Sequence, residues 1–331
     1  MVTLTGNWLE ERMGDYRGRV PGACVLVLHE GMPVIRCAFG MADLEQRSAA
    51  TTATNFRLAS VTKQFTAAAV LMLMETGALS LDEPLREWLP SLPEGAAGAT
   101  LRQLLTHTSG IIDYEDLAPS DRTAQLQDVD VLRLLESEPR TYFPPGSAYR
   151  YSNGGYALLA LVVESVSGKG FATFLRERIF RPLGMSGTVA HREGVSTVAH
   201  RAYGYTRVDD GWRRTDQSLT SAVLGDGGVY SSIDDLAKWD AALYDGRLMR
   251  PESLRLAFAP ATATEDPAIS YGFGWRITGE TVWHSGESVG FRNVIVRWPR
   301  RRLTVALLTN RDAPGPYPLA LRIAQIVNPR C

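Results

Sequence analysis

The sequence predicts an α/β protein with strand-forming segments at the two ends of the chain and helices between them. Three observations carry this reading. Residues 23–40, ACVLVLHEGMPVIRCAFG, alternate as a hairpin does, with Glu30-Gly31 at a two-residue turn. Segments 270–278, 280–285, 291–298 and 302–309 are rich in Val, Ile, Trp and Thr, side chains that fit a pleated surface. Between these ends the chain is dominated by apolar runs of helical character, punctuated by Pro and Gly.

Each element has a local cause. In the hairpin, Met32-Pro33 suits a strand start, and its register sets Cys24 across from Cys37 as two small apolar neighbours. Residues 59–76 form a helix of buried character, rich in Ala, Leu and Met, with Gly77 as the stop. Pro84, Pro90 and Pro93 break the helical pieces that follow. Thr100 caps the helix LRQLLTH, and a loop starts at His107-Thr108-Ser109-Gly110. A helix is predicted at 128–138, a Pro/Gly/Ser/Asn loop at 143–155, and apolar helices at 156–167 and 170–180. Further helices follow Ser231-Ser232 (233–244) and Pro251 (251–258), and a last one spans 318–327. The basic run at 297–302 reads as a surface turn between two strands.

Composition narrows the function classes. The 331 residues carry 35 basic and 36 acidic side chains, net −1, so no nucleic-acid or anionic-membrane partner is expected. At about 150 residues per domain, this length allows two domains or one two-lobed unit. The first twenty residues lack a basic region followed by an apolar run, and no apolar stretch reaches the roughly 18 residues of a membrane span, so a cytoplasmic protein is expected. Three cysteines do not make a disulfide framework. The five histidines contain no i, i+4 pair and no H-E-x-x-H, and no phosphate-binding glycine loop occurs; no metal site is expected.

Three short motifs can carry chemistry. Ser60-Val61-Thr62-Lys63 puts a hydroxyl and an amine one helical turn apart. A serine hydroxyl is a weak nucleophile and needs an adjacent base, and a lysine in apolar surroundings gives up its charge more easily. Tyr151-Ser152-Asn153 lies in the Gly/Pro-rich loop; a tyrosine can shuttle protons, and an asparagine amide can hold a neighbouring amine or a substrate carbonyl. His284-Ser285-Gly286 follows a strand-like run, where a glycine lets a substrate backbone lie along a sheet edge. Each motif alone reads more readily as a helix cap, a turn or a strand end.

In this order and at these separations the three resemble the active-site motifs of the serine β-lactamase and penicillin-binding-protein superfamily. The Tyr-x-Asn form resembles the class C-like branch, which also holds esterases and D-aminopeptidases. LRQLLTHTSGI (101–111), FPPGSAYRYSNGGYALLALVVESVSG (143–168), PLGM (182–185), GDGGVYSSIDDLAKW (225–239), YGFGW (271–275) and ALLTN (306–310) extend the likeness over residues 18–328. The resemblance implies one catalytic domain: an antiparallel β-sheet flanked by helices, from about 1–75 and 260–331, with an inserted helical lobe at about 76–259. It implies Ser60 as the acylated nucleophile and Lys63 as the group that helps deprotonate it. Tyr151 would be the general base and later the acid, and Asn153 would orient Lys63 and the substrate. The oxyanion hole would be the backbone N–H groups of Ser60 and Glu287. No cofactor is implied, and the partner would be a small ester or amide.

Two departures bear on substrate. A β-lactamase of this branch would have Lys-Thr-Gly at His284, Ser285 and Gly286. A histidine there is only partly charged at neutral pH, and Glu287 adds a negative charge if it points inward. Both would disfavour anionic β-lactams, with Arg292 as a possible replacement cation. Glycines at 225–228 stand where a tyrosine commonly walls the pocket, suggesting a wider cleft re-lined by Tyr114, Tyr230 or Trp275. The leading expectation is a carboxylesterase-type serine hydrolase with weak or no β-lactamase activity. The alternatives are a D-specific aminopeptidase, amidase or carboxypeptidase, and a slow-turnover penicillin-binding-like sensor.

Overall fold

Glu30 and Gly31 both adopt positive φ, 52° and 77°, which gives a two-residue hairpin turn the twist of its flanking strands. The turn joins β1 (Ala23–His29) to β2 (Met32–Phe39). The computed structural model describes residues 7–329. Six more strands complete the main sheet: β3 (Thr262–Ala263), β4 (Ser270–Tyr271), β5 (Arg276–Thr278), β6 (Thr281–Ser288), β7 (Phe291–Trp298) and β8 (Leu303–Thr309). Their order is β3-β4-β5-β6-β7-β8-β1-β2, with every pairing antiparallel. The hairpin is thus joined to the C-terminal strands through β8.

The strands at the centre are apolar on both faces because helices cover both. Val25, Val27, Val294, Val296, Val305 and Leu307 pack against Ala320, Ile323 and Ala324 of the helix Tyr317–Val327. The alternate residues Leu26, Ile295, Ala306 and Leu308 join the larger core with helices α1 (Lys63–Glu75), α2 (Asn153–Ser167) and α3 (Ile233–Asp245). The two-residue period of a strand produces this sorting. It also corrects the cysteine register. Cys24 lies opposite Ala38 and Cys37 opposite Val25, so the two thiols are on opposite faces, and both are free.

Other differences have local reasons. The segment 270–278 is two short strands, because residues 272–275 make a turn closed by the Gly272 N–H on the Trp275 carbonyl (2.8 Å). The strand expected at 280–285 runs on to Ser288. The helix expected at 170–180 is α-helical from Phe171 to Leu175 and then widens to a π turn through Phe180. The inserted region is not purely helical. It holds two strands, Val189–Ala190 and Val229–Ser231, which pair with Phe56–Arg57 from before the insertion into a three-stranded sheet, and a hairpin (Tyr205–Val208, Gly211–Arg214). The basic run does form a turn between β7 and β8, with Arg301 on Glu280 and Arg302 on Glu30. Among the described residues, no single helix is long and apolar enough to cross a membrane.

A buried ion pair ties α3 to the sheet. Arg297 Nε donates to Asp240 Oδ1 (2.7 Å), which also accepts from Thr304 Oγ1 (2.7 Å), and both charged side chains are almost completely buried. Removing one member of such a pair leaves the other charge uncompensated. Asp240→Ala is expected to cost about 3–5 kcal/mol, read from urea unfolding of the variant against wild type.

Candidate active site

Ser60 is held at the junction of the sheet and the helices. It sits in a 3₁₀ turn (Ala59–Thr62) that runs directly into α1, so Ser60 and Lys63 share one face. Ala59 takes a positive φ of 49°, uncommon for a residue with a side chain, and the surroundings hold it there. The Leu58 N–H bonds the Val229 carbonyl, Asn293 Nδ2 of β7 bonds the Arg57 carbonyl (2.7 Å), and the Val229 N–H bonds Thr62 Oγ1 (3.2 Å). Gly286 of β6 touches the same turn: a Cβ built there would lie 2.0 Å from the Leu58 carbonyl oxygen. Only glycine lets strand and turn approach so closely.

Lys63 is fully buried, and its Nζ donates three hydrogen bonds: to Ser60 Oγ (3.2 Å), Asn153 Oδ1 (2.7 Å) and the Asp226 carbonyl (3.0 Å). Three acceptors match the three protons of an ammonium. The amine also lies 4.9 Å from the centre of the Tyr151 ring and 5.4 Å from that of Tyr156.

The Tyr151-Ser152-Asn153 segment is placed by the start of α2. Ser152 Oγ caps the helix by accepting from the Gly155 N–H, so Asn153 is its first residue and the preceding loop ends sooner than expected. Asp113 accepts from the backbone N–H of Asn153 (2.5 Å) and Gly154, a favourable place for a negative charge at a helix N-terminus. The Ser152 N–H donates to His107 Nδ1 (3.1 Å), and the His107 ring lies against Tyr151, centroids 4.3 Å apart. Burial, then the charge of Lys63, lowers the His107 pKa well below its usual value, so the ring is a neutral spacer. The Tyr151 hydroxyl is buried with no protein partner.

His284, on β6, is also neutral. Burial first, then Arg276 and Lys63, hold its pKa well below the usual histidine value. Nδ1 is 2.6 Å from the Ser285 carbonyl, which can only accept, so Nδ1 carries the proton and Nε2 accepts from the Tyr271 hydroxyl (2.9 Å). This corrects the expectation of a partly charged histidine. Past Trp283 the β5 side of β6 has no strand partner, so residues 284–288 form an edge beside Ser60. Ser285 belongs to that edge, half-buried and opposite Val294. Glu287 does not point inward: its side chain is 64% exposed and pairs across the strands with Arg292 (3.4 Å). Arg292 also bonds the Ser288 and Phe291 carbonyls, so it is not the replacement cation.

A cation that does lie against Tyr151 is Arg276, which sequence reasoning missed. It lies 5.5 Å from the Tyr151 ring centre, with the Tyr271 and Trp283 rings at 6.0 and 5.7 Å. Among the described residues no carboxylate pairs with it, and its buried Nε has no partner. Cross-strand pairing of Arg276 with Trp283 brings it beside the histidine, a signal available only once the turn at 279–280 is recognised. Glu115 was also missed. Its carboxylate accepts from Asn153 Nδ2 (3.3 Å), and burial and nearby Asp113 raise its pKa.

The expected pocket aromatics are elsewhere. Tyr114 is buried and donates to Asp226 Oδ2 (2.9 Å). Tyr230 is buried beside Arg201, accepting from Gln217 (3.1 Å), and Trp275 packs on Phe258 in the core. None presents an exposed face to a cleft. Two of the three glycines at 225–228 are small for close packing: a Cβ at Gly225 would meet the Tyr156 carbonyl at 2.2 Å, and one at Gly228 would meet Leu224. At Gly227, beside the Ser60 turn, a Cβ would make only ordinary contact, 3.6 Å from Ala59.

The Beta-lactamase family model matches residues 7–327. Penicillin-binding protein 4* of Bacillus subtilis (strain 168) is 33% identical over 90% of this chain and 70% of its own length. A D-aminopeptidase of Cereibacter sphaeroides (strain KD131) is 32% identical over 89% of this chain; the chain spans only 58% of that protein. The solved structure of D-amino acid amidase from Ochrobactrum anthropi SV3 with L-phenylalanine amide superposes with a TM-score of 0.84 at 26% identity, covering 98% of both chains. With these matches spanning the described fold from end to end, the chain belongs to the β-lactamase family of serine hydrolases.

Proposed function

We propose that this serine hydrolase cleaves amide bonds of small D-amino-acid amides or short D-residue peptides through an acyl-enzyme at Ser60. The observation that carries this over the esterase reading is the buried, unbonded hydroxyl of Tyr151, whose ring lies against two cations, Lys63 and Arg276. An amine leaving group must be protonated as it departs, whereas an alkoxide or phenolate leaves more readily, so amide cleavage demands a positioned acid. The D-aminopeptidase and amidase relatives support the same class.

In this mechanism Ser60 Oγ attacks the carbonyl carbon while its proton passes into the Lys63–Tyr151 pair. The oxyanion is received by the Ser60 and Glu287 backbone N–H groups. Tyr151 gives the proton to the leaving nitrogen and takes one from the water that hydrolyses the ester. Asn153 holds Lys63 and presents its amide to the substrate. Along the open edge of β6, His284 and Ser285 contribute backbone for the substrate to pair with. Arg276, lacking a carboxylate partner, receives a substrate carboxylate; Glu115 receives an ammonium.

A panel of D- and L-alanine p-nitroanilides, short D- and L-peptides and p-nitrophenyl acetate tests this, with Ser60→Ala as control. D-amides and D-peptides are expected to turn over and the Ser60→Ala variant to be silent. Cleavage of esters with every amide untouched would overturn the reading. Arg276→Gln is expected to raise KM about tenfold or more for peptides with a free carboxylate and to spare the p-nitroanilides.

A further inference from the structure

We propose that Asp226 is a positioning residue that sets the charge of Lys63, working together with Tyr114. One residue makes both connections. Its main-chain carbonyl accepts from Lys63 Nζ (3.0 Å), and its side-chain Oδ2 accepts from the Tyr114 hydroxyl (2.9 Å). All three residues are buried. The short helix carrying Asp226 is fixed from both sides. Asp128 accepts from the Leu224 and Gly225 N–H groups (3.0 and 2.9 Å), and Thr66 Oγ1 of α1 bonds the Gly225 carbonyl (2.6 Å). Asp226 therefore cannot drift from Lys63.

Among the described residues the Asp226 carboxyl is hydrogen-bonded by one phenol, so its buried charge is costly unless a nearby opposite charge compensates it. Lys63 of α1 faces it as a cation; Tyr114 and Glu115 of the adjoining turn and Asp128 of the helix Asp128–Glu136 face it as acids. Burial, reinforced by Asp128, pushes its pKa up to about 7, against the opposing pull of Lys63 and the Tyr114 hydrogen bond. Asp128 itself is raised by burial to about 6. Ionised Asp226 compensates the Lys63 ammonium. Once Asp226 is neutral, the ammonium is left without that compensation and the free amine, the form able to take the Ser60 proton, is favoured.

The test is the pH dependence of Ser60 phosphonylation by an alkyl p-nitrophenyl phosphonate, between about pH 5 and 9, in wild type, Asp226→Asn, Tyr114→Phe and Ser60→Ala. This proposal rests on Ser60 being the nucleophile but not on the amide substrate. Asp226→Asn keeps the carbonyl and a side-chain acceptor for Tyr114, yet removes the charge. Its acid limb is expected to move to lower pH by about one unit, the size of effect a neighbouring charge exerts. Tyr114→Phe withdraws a hydrogen bond that favours ionised Asp226, so its limb should move the same way by less. Limbs that coincide with wild type in both variants overturn the proposal. If Asp226→Asn does not fold, Tyr114→Phe decides alone. Labelling that persists in Ser60→Ala instead refutes the assignment of Ser60, a separate result.

Discussion

Lys63→Met should lower kcat/KM by about 10³-fold while moving the melting temperature by only a few degrees. The two effects separate because Lys63 is costly to bury and, in the proposed mechanism, essential to use. Its amine lies against the Tyr151 and Tyr156 rings and the Asp226 turn, with no exposed surface. Taking an ammonium out of water costs several kcal/mol, and methionine of similar length removes that penalty. Against this, the substitution strips the donor from Asn153 Oδ1 and the Asp226 carbonyl, each orphaned acceptor costing about 1–3 kcal/mol. The terms offset in stability. Nothing offsets the loss in catalysis, because Ser60 then has no amine within reach. Steady-state kinetics and a thermal melt on the same sample check both halves.

Gly286→Ala is expected to damage stability and turnover together, by about 3 kcal/mol or more and at least about a hundredfold in kcat/KM. The added methyl would lie 2.0 Å from the Leu58 carbonyl oxygen and 3.2 Å from Val61 Cγ2. A flexible side chain could move aside, but a carbonyl two residues before Ser60 cannot without carrying Ala59 and Ser60 with it. Nor can β6 retreat, since residues 282–288 are paired along their whole length with β7. The clash therefore pries the Ser60 turn from the strand that supplies the Glu287 N–H. Urea unfolding and ester or amide kinetics measure the two losses. A variant of wild-type stability would mean that the turn can slide along β6.

How far the sequence could be read follows from how local each signal is. The strand at 291–298 was legible to the residue and the hairpin in its two strands and turn, because period-two alternation and turn residues are local properties. The Ser60/Lys63, Tyr151/Asn153 and His284/Gly286 motifs were legible as a set, by order and spacing. Strands of two or three residues, such as Phe56–Arg57 and Val189–Ala190, are too short to show a period, and their sheet in the middle of the chain went unseen. The cysteine register failed because a bulge between Val27 and Leu28 shifts the hairpin by one residue. Charge was hardest. Whether His284 is neutral, Glu287 is neutralised or Arg276 is unpaired depends on contacts between segments far apart in sequence. Aromatic bulk misled for the same reason: Tyr230 and Trp275 serve packing that no local pattern distinguishes from a pocket wall.

The order of the sheet has a consequence for how the protein comes to be. The innermost partner of β1 is β8, and Val25 pairs with Leu307 across nearly the whole chain. During synthesis the first hairpin leaves the ribosome with one apolar edge unmatched, and it stays so until residue 309 is available. Such distant pairing makes folding slow and leaves an adhesive edge in the meantime. The Ser60 turn is in the same position, since Asn293 and Gly286, which brace it, are made last. A ribosome stalled anywhere before β8 therefore holds a chain whose proposed nucleophile has been synthesised but not yet armed.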